Sequence, residues 1–523
     1  MQSDDFYILL QRDQARLSWR EDRDTPYPLA SESEKDRLIA RILQKVLNMR
    51  LVAEEMEVFG IEEFQVLGIT LFNLLFNSDA LKIKFKTFYK EALSESEQRH
   101  RFIIEFDRSA SDMAALPWEY LFYEEDEATQ AFLAAHLRKS IDLVRKFHFP
   151  CPWLKQDKDK QSIEPPLRVL VIVTHDGQAD VSAVVQPTTN FFNNLKQRHT
   201  PLIDYRFIID PNANNLGEKL EAVITDDQES PFHPHIIHFI GHSRMEGNVG
   251  QVCFPQKLPG GDVVENWVNE DTFANYFEEL KHPPHLFFLH APDGVPIGDY
   301  SEERGIVLKL MKKNIPFVIA LQNPVPDWMA QDLMETFYKK MLNGFDVAAA
   351  LTESRIQLAR KSKDKRGIKY DDYAHKVFGS PVLYTSVNKP FALSVSGVTV
   401  EKEKPTEHYK ICPDHPNKPF SLSENWCSFC GSRLILPSEL QPGAPATATG
   451  ATTGEQAGRV VEQTQTTATG AGTEQTKPGN HSLQRPRSGM GAKEQVPSSS
   501  EPQPGIVQRI SDLNREGKEK LLE

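Results

Sequence analysis

The sequence predicts an α/β protein built around a doubly wound, mostly parallel sheet. Short apolar runs alternate with segments of helical periodicity through the middle of the chain, as is typical of strands joined by crossover helices. The runs are apolar on both faces, as strands are when helices cover both sides of a parallel sheet. At 523 residues the chain is too long for one compact core, so we expect about two to four structural units.

The N-terminal unit, residues 1–150, is predicted to be α/β. Apolar alternation from Phe6 to Leu10 and from Phe102 to Phe106 indicates strands. Helical periodicity from Lys35 to Met49 and from Ile61 to Phe76 indicates helices between them.

Residues 151–166 are predicted to form a linker, because Pro and Lys punctuate the segment. The main sheet is expected in residues 167–395, with crossover helices at Asn190 to Gln197 and at Leu216 to Ile224. Its predicted strands are the runs LRVLVIVT, YRFIID, HIIHFI, HLFFLH and FVIAL.

Two of these predicted strands lead into residues that are suited to chemistry. The run HIIHFI ends at Gly241-His242-Ser243, and the run HLFFLH ends at Ala291-Pro292-Asp293-Gly294. In doubly wound sheets, ligands gather beyond the carboxyl ends of the strands, where loops meet helix N-termini. We therefore predict that the functional site lies at these two strand ends.

Charge and hydropathy exclude two classes of partner. A net charge of -13 argues against nucleic-acid binding, which needs clustered Lys and Arg. No apolar run approaches the roughly 18 residues that span a bilayer, and the first residues lack the basic start of a signal peptide. We therefore expect a cytoplasmic protein that binds neither nucleic acid nor membrane.

Residues 405–436 are predicted to form a small zinc-ribbon-like knuckle. Two pairs of ligand-type residues stand at zinc spacing in the pattern Cys412-x2-His415-x11-Cys427-x2-Cys430. Four protein ligands would close a tetrahedral shell, so the expected zinc is structural. His408 is an alternative ligand to His415, and the alternative to a metal site is a group of four unrelated residues.

The remainder of the chain is predicted to lack a core. Residues 437–504 are rich in Thr, Gly, Ala, Gln, Ser and Pro, so they cannot bury enough apolar surface to offset their ordering entropy, and we expect them to be disordered. Residues 505–523 place apolar side chains on one helical face and are predicted to form a short amphipathic helix that orders on a partner.

Five separated blocks of the sequence together resemble one known protein family. The blocks occur in one order from about Leu116 to Tyr384, which is more specific than any single short motif. They are LPWEYLFYEEDEATQAFLAAHLRKSIDLVRKF, PPLRVLVIVTH, HPHIIHFIGHS, NIPFVIALQNPVPDWMAQDLMETFYKKMLNGFDVAAALTESRIQL and FGSPVLY. These blocks resemble the CHAT domain family of caspase-like cysteine peptidases, and the resemblance implies a caspase-like fold.

The resemblance also implies where a catalytic dyad would lie. The family's general base falls on His242, and the nucleophilic cysteine position falls on Pro292, which has neither thiol nor hydroxyl. No Cys, Ser or Thr lies between Leu286 and Tyr300, so a small shift of the match supplies no nucleophile. We therefore expect His242 to be vestigial and peptidase turnover to be absent.

Two catalytic alternatives remain open. The first is an active peptidase that uses Cys253 as an unexpected nucleophile with His242, although the apolar run around Cys253 favours a buried strand residue. The second is a metal-assisted hydrolase at His242, His290 and Asp293.

A carboxylate near the start of the resemblance, Glu119, has a structural interpretation. It follows Pro117-Trp118 in a segment that is typical of a packed turn, and we expect it to pair with Arg138 or Arg145.

The sequence thus favours a pseudo-peptidase, which binds a protein or peptide partner instead of cutting it. By the family resemblance, we expect such a regulatory module in bacterial signalling or defence.

Overall fold

The structure, a computed structural model, describes most of the chain up to residue 420. The described residues are 5–42, 61–94, 99–124, 131–136, 141–154, 162–175, 181–225, 231–247, 249–260, 262–278, 280–291, 303–323, 325, 327–360, 377–395, 410–412 and 415–420. All of them belong to one of the two compact units into which the chain divides, namely Met1–Leu440 together with Pro504–Glu523. The predicted disordered segment 437–504 and terminal helix 505–523 lie outside the described residues.

Twenty strands occur in the described residues. In chain order they are β1 (Phe6–Leu10), β2 (Gln14–Trp19), β3 (Asp22–Pro28), β4 (His100–Phe106), β5 (Phe122–Tyr123), β6 (Ala131–Phe132), β7 (Ile141–Phe147), β8 (Ser162–Ile163), β9 (Leu167–Val173), β10 (Ile203–Ile209), β11 (Ile236–Ile240), β12 (Ser243–Glu246), β13 (Val249–Lys257), β14 (Val263–Asn269), β15 (Leu286–His290), β16 (Phe317–Leu321), β17 (Pro381–Thr385), β18 (Ala392–Leu393), β19 (Lys410–Cys412) and β20 (His415–Phe420).

The α-helices of the described residues alternate with these strands through the central part of the chain. They are α1 (residues 32–42), α2 (Ile61–Leu75), α3 (Asp79–Ser94), α4 (Ser111–Ala114), α5 (Val181–Arg198), α6 (Leu216–Thr225), α7 (Glu270–Asn275), α8 (Ile306–Lys312), α9 (Asp327–Leu342) and α10 (Val347–Arg360). Short 3-10 turns occur at Arg108–Ala110, Trp118–Tyr120 and Leu133–Ala135.

Eleven of the strands form one sheet in the order β10-β9-β11-β15-β16-β17-β7-β4-β1-β2-β3. The five strands from β10 to β16 are mutually parallel, and so are the four from β17 to β1. The two parallel groups meet where β17 lies antiparallel to β16, and β2 and β3 add an antiparallel edge. The predicted mixed α/β architecture with a large, mostly parallel sheet is confirmed.

The predicted core strands agree closely with the observed ones. The run FVIAL is β16, and the other four runs overlap β9, β10, β11 and β15. The predicted crossover helices lie within α5 and α6. All residues of β16 and β17 are buried, because they are in the middle of a sheet that is covered on both faces.

The N-terminal strands are part of the same sheet as the core strands. Residues Tyr384 and Thr385 of β17 pair with Arg145 and Lys146 of β7, which lies in the predicted N-terminal unit. Among the described helices, no single one is long and apolar enough to cross a membrane. Only α2 and α3 together reach that length and composition, and they are bent by 119°.

Candidate site at the carboxyl ends of the central strands

The two predicted site segments leave the sheet side by side. Strands β11 and β15 are parallel neighbours, and their last residues, Ile240 and His290, are paired. Beyond this pair, the Gly241 amide donates to the His290 carbonyl at 3.1 Å, and the Ser243 hydroxyl donates to the Ala291 carbonyl at 2.6 Å. These two bonds hold the segment that carries His242 against the segment that leads to residue 292.

The glycine that precedes His242 is required by packing against the neighbouring strand β9. A Cβ atom at Gly241 would lie 2.2 Å from Thr174 Oγ1, and Thr174 is buried directly after β9. The Thr174 amide also donates to the Ile240 carbonyl at 2.8 Å. A residue with a side chain at position 241 would therefore push the His242 segment away from the sheet.

The main chain of His242 is fixed on its other side by β13. Its carbonyl accepts a hydrogen bond from the Cys253 amide at 3.0 Å, while the residue itself remains half-buried. The imidazole is thus carried by a main chain that is bonded to the sheet on one side and to β13 on the other.

Cys253 is a buried strand residue, as the apolar run around it favours. It lies in β13 opposite Trp267 of β14, and it is 0% exposed. Its Sγ lies 4.0 Å from the carbonyl oxygen of Phe254. The Cys253 amide is bonded to the His242 carbonyl, so the two residues are close along the main chain. The Cys253 thiol is nevertheless buried and cannot contact a substrate unless β13 moves.

The second predicted histidine, His290, is half-buried at the end of β15. Its ring centroid lies 6.0 Å from that of His238, a fully buried residue of β11. His238 stacks on Phe288 at 4.5 Å and shares a hydrogen bond between its Nδ1 and the Tyr338 hydroxyl at 3.0 Å. Burial, with a smaller contribution from His290, lowers the pKa of His238 well below its usual value, so this ring is neutral.

A third histidine at the strand ends was missed by the sequence reasoning. His175 follows Thr174 at the end of β9, and its Nε2 lies 2.9 Å from Oδ1 of Asp210, which follows β10. Successive parallel strands β9, β11 and β15 therefore end at His175, His242 and His290. The signal was available, because His175 directly follows the run LRVLVIVT, just as His242 stands two positions after the run HIIHFI.

The metal hypotheses are only partly covered by the described residues. Pro292 and Asp293 lie outside them, so the three-residue site with His242 and His290 stays a prediction. Within the described parts of the chain, no group of three or more His, Cys, Asp or Glu side chains is arranged to hold a metal ion.

The predicted zinc ligands fall at the edge of the described chain. Cys412 and His415 are opposite each other across the tight end of the β19–β20 hairpin. Cys427 and Cys430 lie outside the described residues. The zinc site therefore stays a prediction.

Glu119 has the structural role that the sequence predicts, with Arg145 as its partner. Its carboxylate forms a bidentate ion pair with Arg145, in which Arg145 Nε donates to Oε1 at 3.0 Å. Both side chains are almost completely buried. The Trp118 indole beside it donates to the Met113 carbonyl at 2.8 Å, as expected of a packed turn.

A family comparison identifies the scaffold that holds these strand ends. The family model of the CHAT domain matches residues 70–432, which is more than half of the chain. The chain belongs to the CHAT domain family. The predicted family is thus confirmed.

Solved structures with similarity to this CHAT protein include two crystal structures of the Saccharomyces cerevisiae separase-securin complex, at 2.6 and 3.0 Å resolution. The matched chains are 12% and 11% identical to it, with TM-scores of 0.39 and 0.42. Each match covers 75% of this chain and 30% of the other chain, so this protein spans less than a third of the matched chains' length. The comparison with curated proteins gives no match.

Proposed function

We propose that this CHAT protein is a pseudo-peptidase that binds a protein or peptide partner in the crevice at the ends of β9, β11 and β15. The observation that carries the proposal is the pairing of Ile240 with His290. His242 and residue 292 each follow this pair by two positions, so they are the neighbours expected of a base and its nucleophile. Residue 292 is proline, which cannot form a thiolate.

The peptidase alternative is disfavoured by the position of Cys253. A nucleophile must reach a substrate carbonyl at van der Waals distance, whereas this side chain is 0% exposed within β13. Burial in apolar surroundings also disfavours the thiolate that would attack.

We expect a crevice at these strand ends even without the chemistry, because the sheet topology and the bonds around Gly241 and Ser243 do not involve residue 292. The half-buried His242 imidazole, at the middle of these three strand ends, can donate or accept a hydrogen bond to an extended peptide. By the family resemblance, this binding would serve a cytoplasmic signalling or defence system of a bacterium.

We also propose that Cys412, His415, Cys427 and Cys430 hold one structural zinc ion. The support is the β19–β20 hairpin, which brings the main chains of Cys412 and His415 together at a tight turn, as in a zinc knuckle. A bound zinc would cross-link this turn to the second ligand pair. The metal content of the protein is the direct test.

The peptidase question is tested by incubating the full chain with a proteome-derived peptide library and identifying new termini by mass spectrometry. We expect no cleavage above that of the matched His242→Ala variant. Cleavage that is lost in both His242→Ala and Cys253→Ser would establish the Cys253 peptidase instead. Cleavage that is stopped by a chelator and by Asp293→Ala, but not by Cys253→Ser, would establish the metal hydrolase.

The binding half of the proposal is tested by display of random peptides on the immobilised full chain. Peptides that occupy the strand-end crevice should bind His242→Trp at least about tenfold more weakly, because a bulky ring fills a half-buried position. Val184→Trp, at an exposed position of α5, is the matched control. The crevice is not a binding site if every selected peptide binds both variants like the wild type.

A further inference from the structure

The elbow between α2 and α3 contains a pocket that shares no residue with the strand-end crevice. The chain bends by 119° between the two helices, at the short connection after Leu75. The cavity between them has a volume of about 330 Å³. This volume is at the lower end of the range of ligand pockets, about 300–1,000 Å³, and has room for one or two large side chains.

The floor of the pocket is rigid. It consists of Phe72 from α2 together with Phe122 and Tyr123 of β5, all of which are buried in the N-terminal core. Helix α2 approaches β5 so closely that a Cβ atom at Gly68 would lie 2.2 Å from the Tyr120 carbonyl and 2.5 Å from Phe122 Cβ. The pocket is therefore preformed, and an occupant would not have to order it.

The rim of the pocket exposes apolar side chains. Ile83 on α3 is 64% exposed and lines the cavity beside Ile69 of α2. Val66, one turn before Ile69 on α2, is 46% exposed. Among the large hydrophobic side chains of the described residues, Ile83 and Val66 are the two most exposed. Exposed large apolar side chains beside a concavity, as Ile83 is here, are typical of interaction sites.

The charge of the rim is opposite to that of the whole protein. Lys82 and Lys86 line the cavity on successive turns of α3, on either side of Ile83, whereas Glu124 is the one carboxylate among the lining residues that the structure describes. Helix α3 as a whole carries four lysines against one Asp and one Glu, in a chain of net charge -13. The rim therefore favours an occupant with carboxylates around its apolar anchor.

We propose that the α2–α3 pocket binds an acidic peptide segment of a protein partner, with one large apolar side chain of that segment seated between Ile83 and Phe72. The carboxylates on either side of the anchor pair with Lys82 and Lys86. The apolar residues line a concavity, which suits an inserted side chain better than a flat lipid surface. The inference does not depend on the strand-end crevice, so either site can fail alone.

Peptide display on the immobilised full chain, followed by fluorescence polarisation of individual peptides, tests this site. We expect a class of selected peptides with one aromatic or long aliphatic residue flanked by Asp or Glu. Their Kd should rise at least about tenfold with Ile83→Glu and also with the double variant Lys82→Glu/Lys86→Glu. Their affinity should fall as salt is raised.

The matched controls are Val184→Glu for the apolar change and Lys257→Glu for the charge change, since both residues are exposed on other elements. Circular dichroism checks that each variant is folded. The Lys82→Glu/Lys86→Glu variant leaves the apolar lining residues Ile69, Phe72 and Ile83 unchanged. Peptides of this class should bind His242→Trp like the wild type, which separates this site from the crevice.

Three results would overturn the proposal. The first is selection only of peptides that lack carboxylates or that bind Ile83→Glu like the wild type. The second is co-sedimentation of the wild type, but not of Ile83→Glu, with vesicles of phosphatidylcholine and phosphatidylserine, which would make the surface a membrane contact. The third is a dimer in light scattering that Ile83→Glu abolishes, because the occupant would then be a second copy of the chain.

Discussion

At the scale of single residues, the least expected feature is a carboxylate buried between two guanidinium groups. Glu119 pairs with Arg145, and Arg355 Nη2 lies 3.9 Å from Glu119 Oε1. Arg355 is 0% exposed, and it also donates to the carbonyls of Pro381 at 2.9 Å and Leu143 at 3.2 Å. Burial lowers the pKa of Arg355 to about 10, with a smaller contribution from Arg145, and Glu119 is the largest of the effects that oppose this. The carboxylate therefore compensates two cations that join β7, β17 and α10.

Glu119→Gln should destabilise the fold by about 3–5 kcal/mol, because it leaves two buried guanidinium groups without a counter-charge. The measurement is the free energy of unfolding in urea. Glu335→Gln is the control, since its ion pair with Lys339 is on an exposed helix face and should contribute less than about 0.5 kcal/mol. A loss for Glu119→Gln as small as that of the control would show that the cluster does not hold the fold together.

The sequence predicts this cluster only in part, and the reason is its range along the chain. Glu119 and Arg145 lie in one compact stretch, so pairing with Arg138 or Arg145 is a natural expectation. Arg355 comes from α10, far along the chain, and an arginine in an otherwise amphipathic helix is usually read as solvent-exposed. Periodicity identifies the helix, but it does not reveal that α10 crosses β7 and β17.

At the scale of elements, the starts of β11 and β15 carry matching histidine pairs. His233 and His235 precede β11, and His282 and His285 precede β15. The rings of His233 and His282 have centroids 4.0 Å apart, and those of His235 and His285 are 5.8 Å apart. These pairs lie at the amino-terminal ends of the strands, opposite the ends that lead to His242. The predicted site concerned only the carboxyl ends of the strands and did not include them.

The surroundings of His235 and His285 keep both imidazole rings neutral. Burial, and then Arg168 and His285, lower the pKa of His235 to about 3, while burial lowers that of His285 to about 4. The Arg168 amide donates to His235 Nδ1 at 3.1 Å, a bond that a protonated ring could not accept. Trp153 packs edge-on against His285 with ring centroids 5.0 Å apart, and Lys281 adds positive charge near His233.

Acid should therefore destabilise the protein through these two strand starts. In the unfolded chain both histidines titrate near 6.5, so below this pH the unfolded state binds more protons than the folded state. The stabilisation is complete above pH 6.5 and is lost as the pH falls toward 4, at about 1.4 kcal/mol per pH unit for each ring. The measurement is the urea midpoint between pH 7 and pH 4.5.

The comparison that isolates the histidines is His235→Gln/His285→Gln, which keeps the carboxylates of the wild type. We expect a clearly shallower fall in stability with acid for this variant than for the wild type. If the urea midpoints of the two proteins fell equally with pH, the acid sensitivity would come from carboxylates and not from these histidines. His285→Gln alone should give about half of the difference, and it provides the test if the double variant is poorly folded.

At the scale of the whole molecule, the sheet consists of two parallel groups that run in opposite directions. The group from β10 to β16 ends its strands at the candidate site, whereas the group from β17 to β1 ends its strands at the other edge. The sequence predicts all five strands of the first group, because buried apolar runs are evident from composition, but only β1 and β4 of the second group. It does not predict that β17 pairs with β7, since an apolar run specifies a strand but not its partner.

The last prediction at this scale concerns the C-terminal knuckle, residues 405–436. If a zinc ion holds this segment together, the segment folds with its metal and independently of the sheet. The full chain should carry one zinc ion, measured by elemental analysis, and Cys427→Ser/Cys430→Ser should carry none. A chelator should loosen the β19–β20 hairpin, since folding of a knuckle is coupled to its metal, while the sheet keeps its unfolding temperature.

Cys151→Ser/Cys253→Ser is the matched control, because neither cysteine belongs to the proposed zinc shell. Equal zinc in wild type and Cys427→Ser/Cys430→Ser would remove the metal site. Loss of zinc with a lower melting temperature of the sheet would show instead that the knuckle stabilises the CHAT core directly.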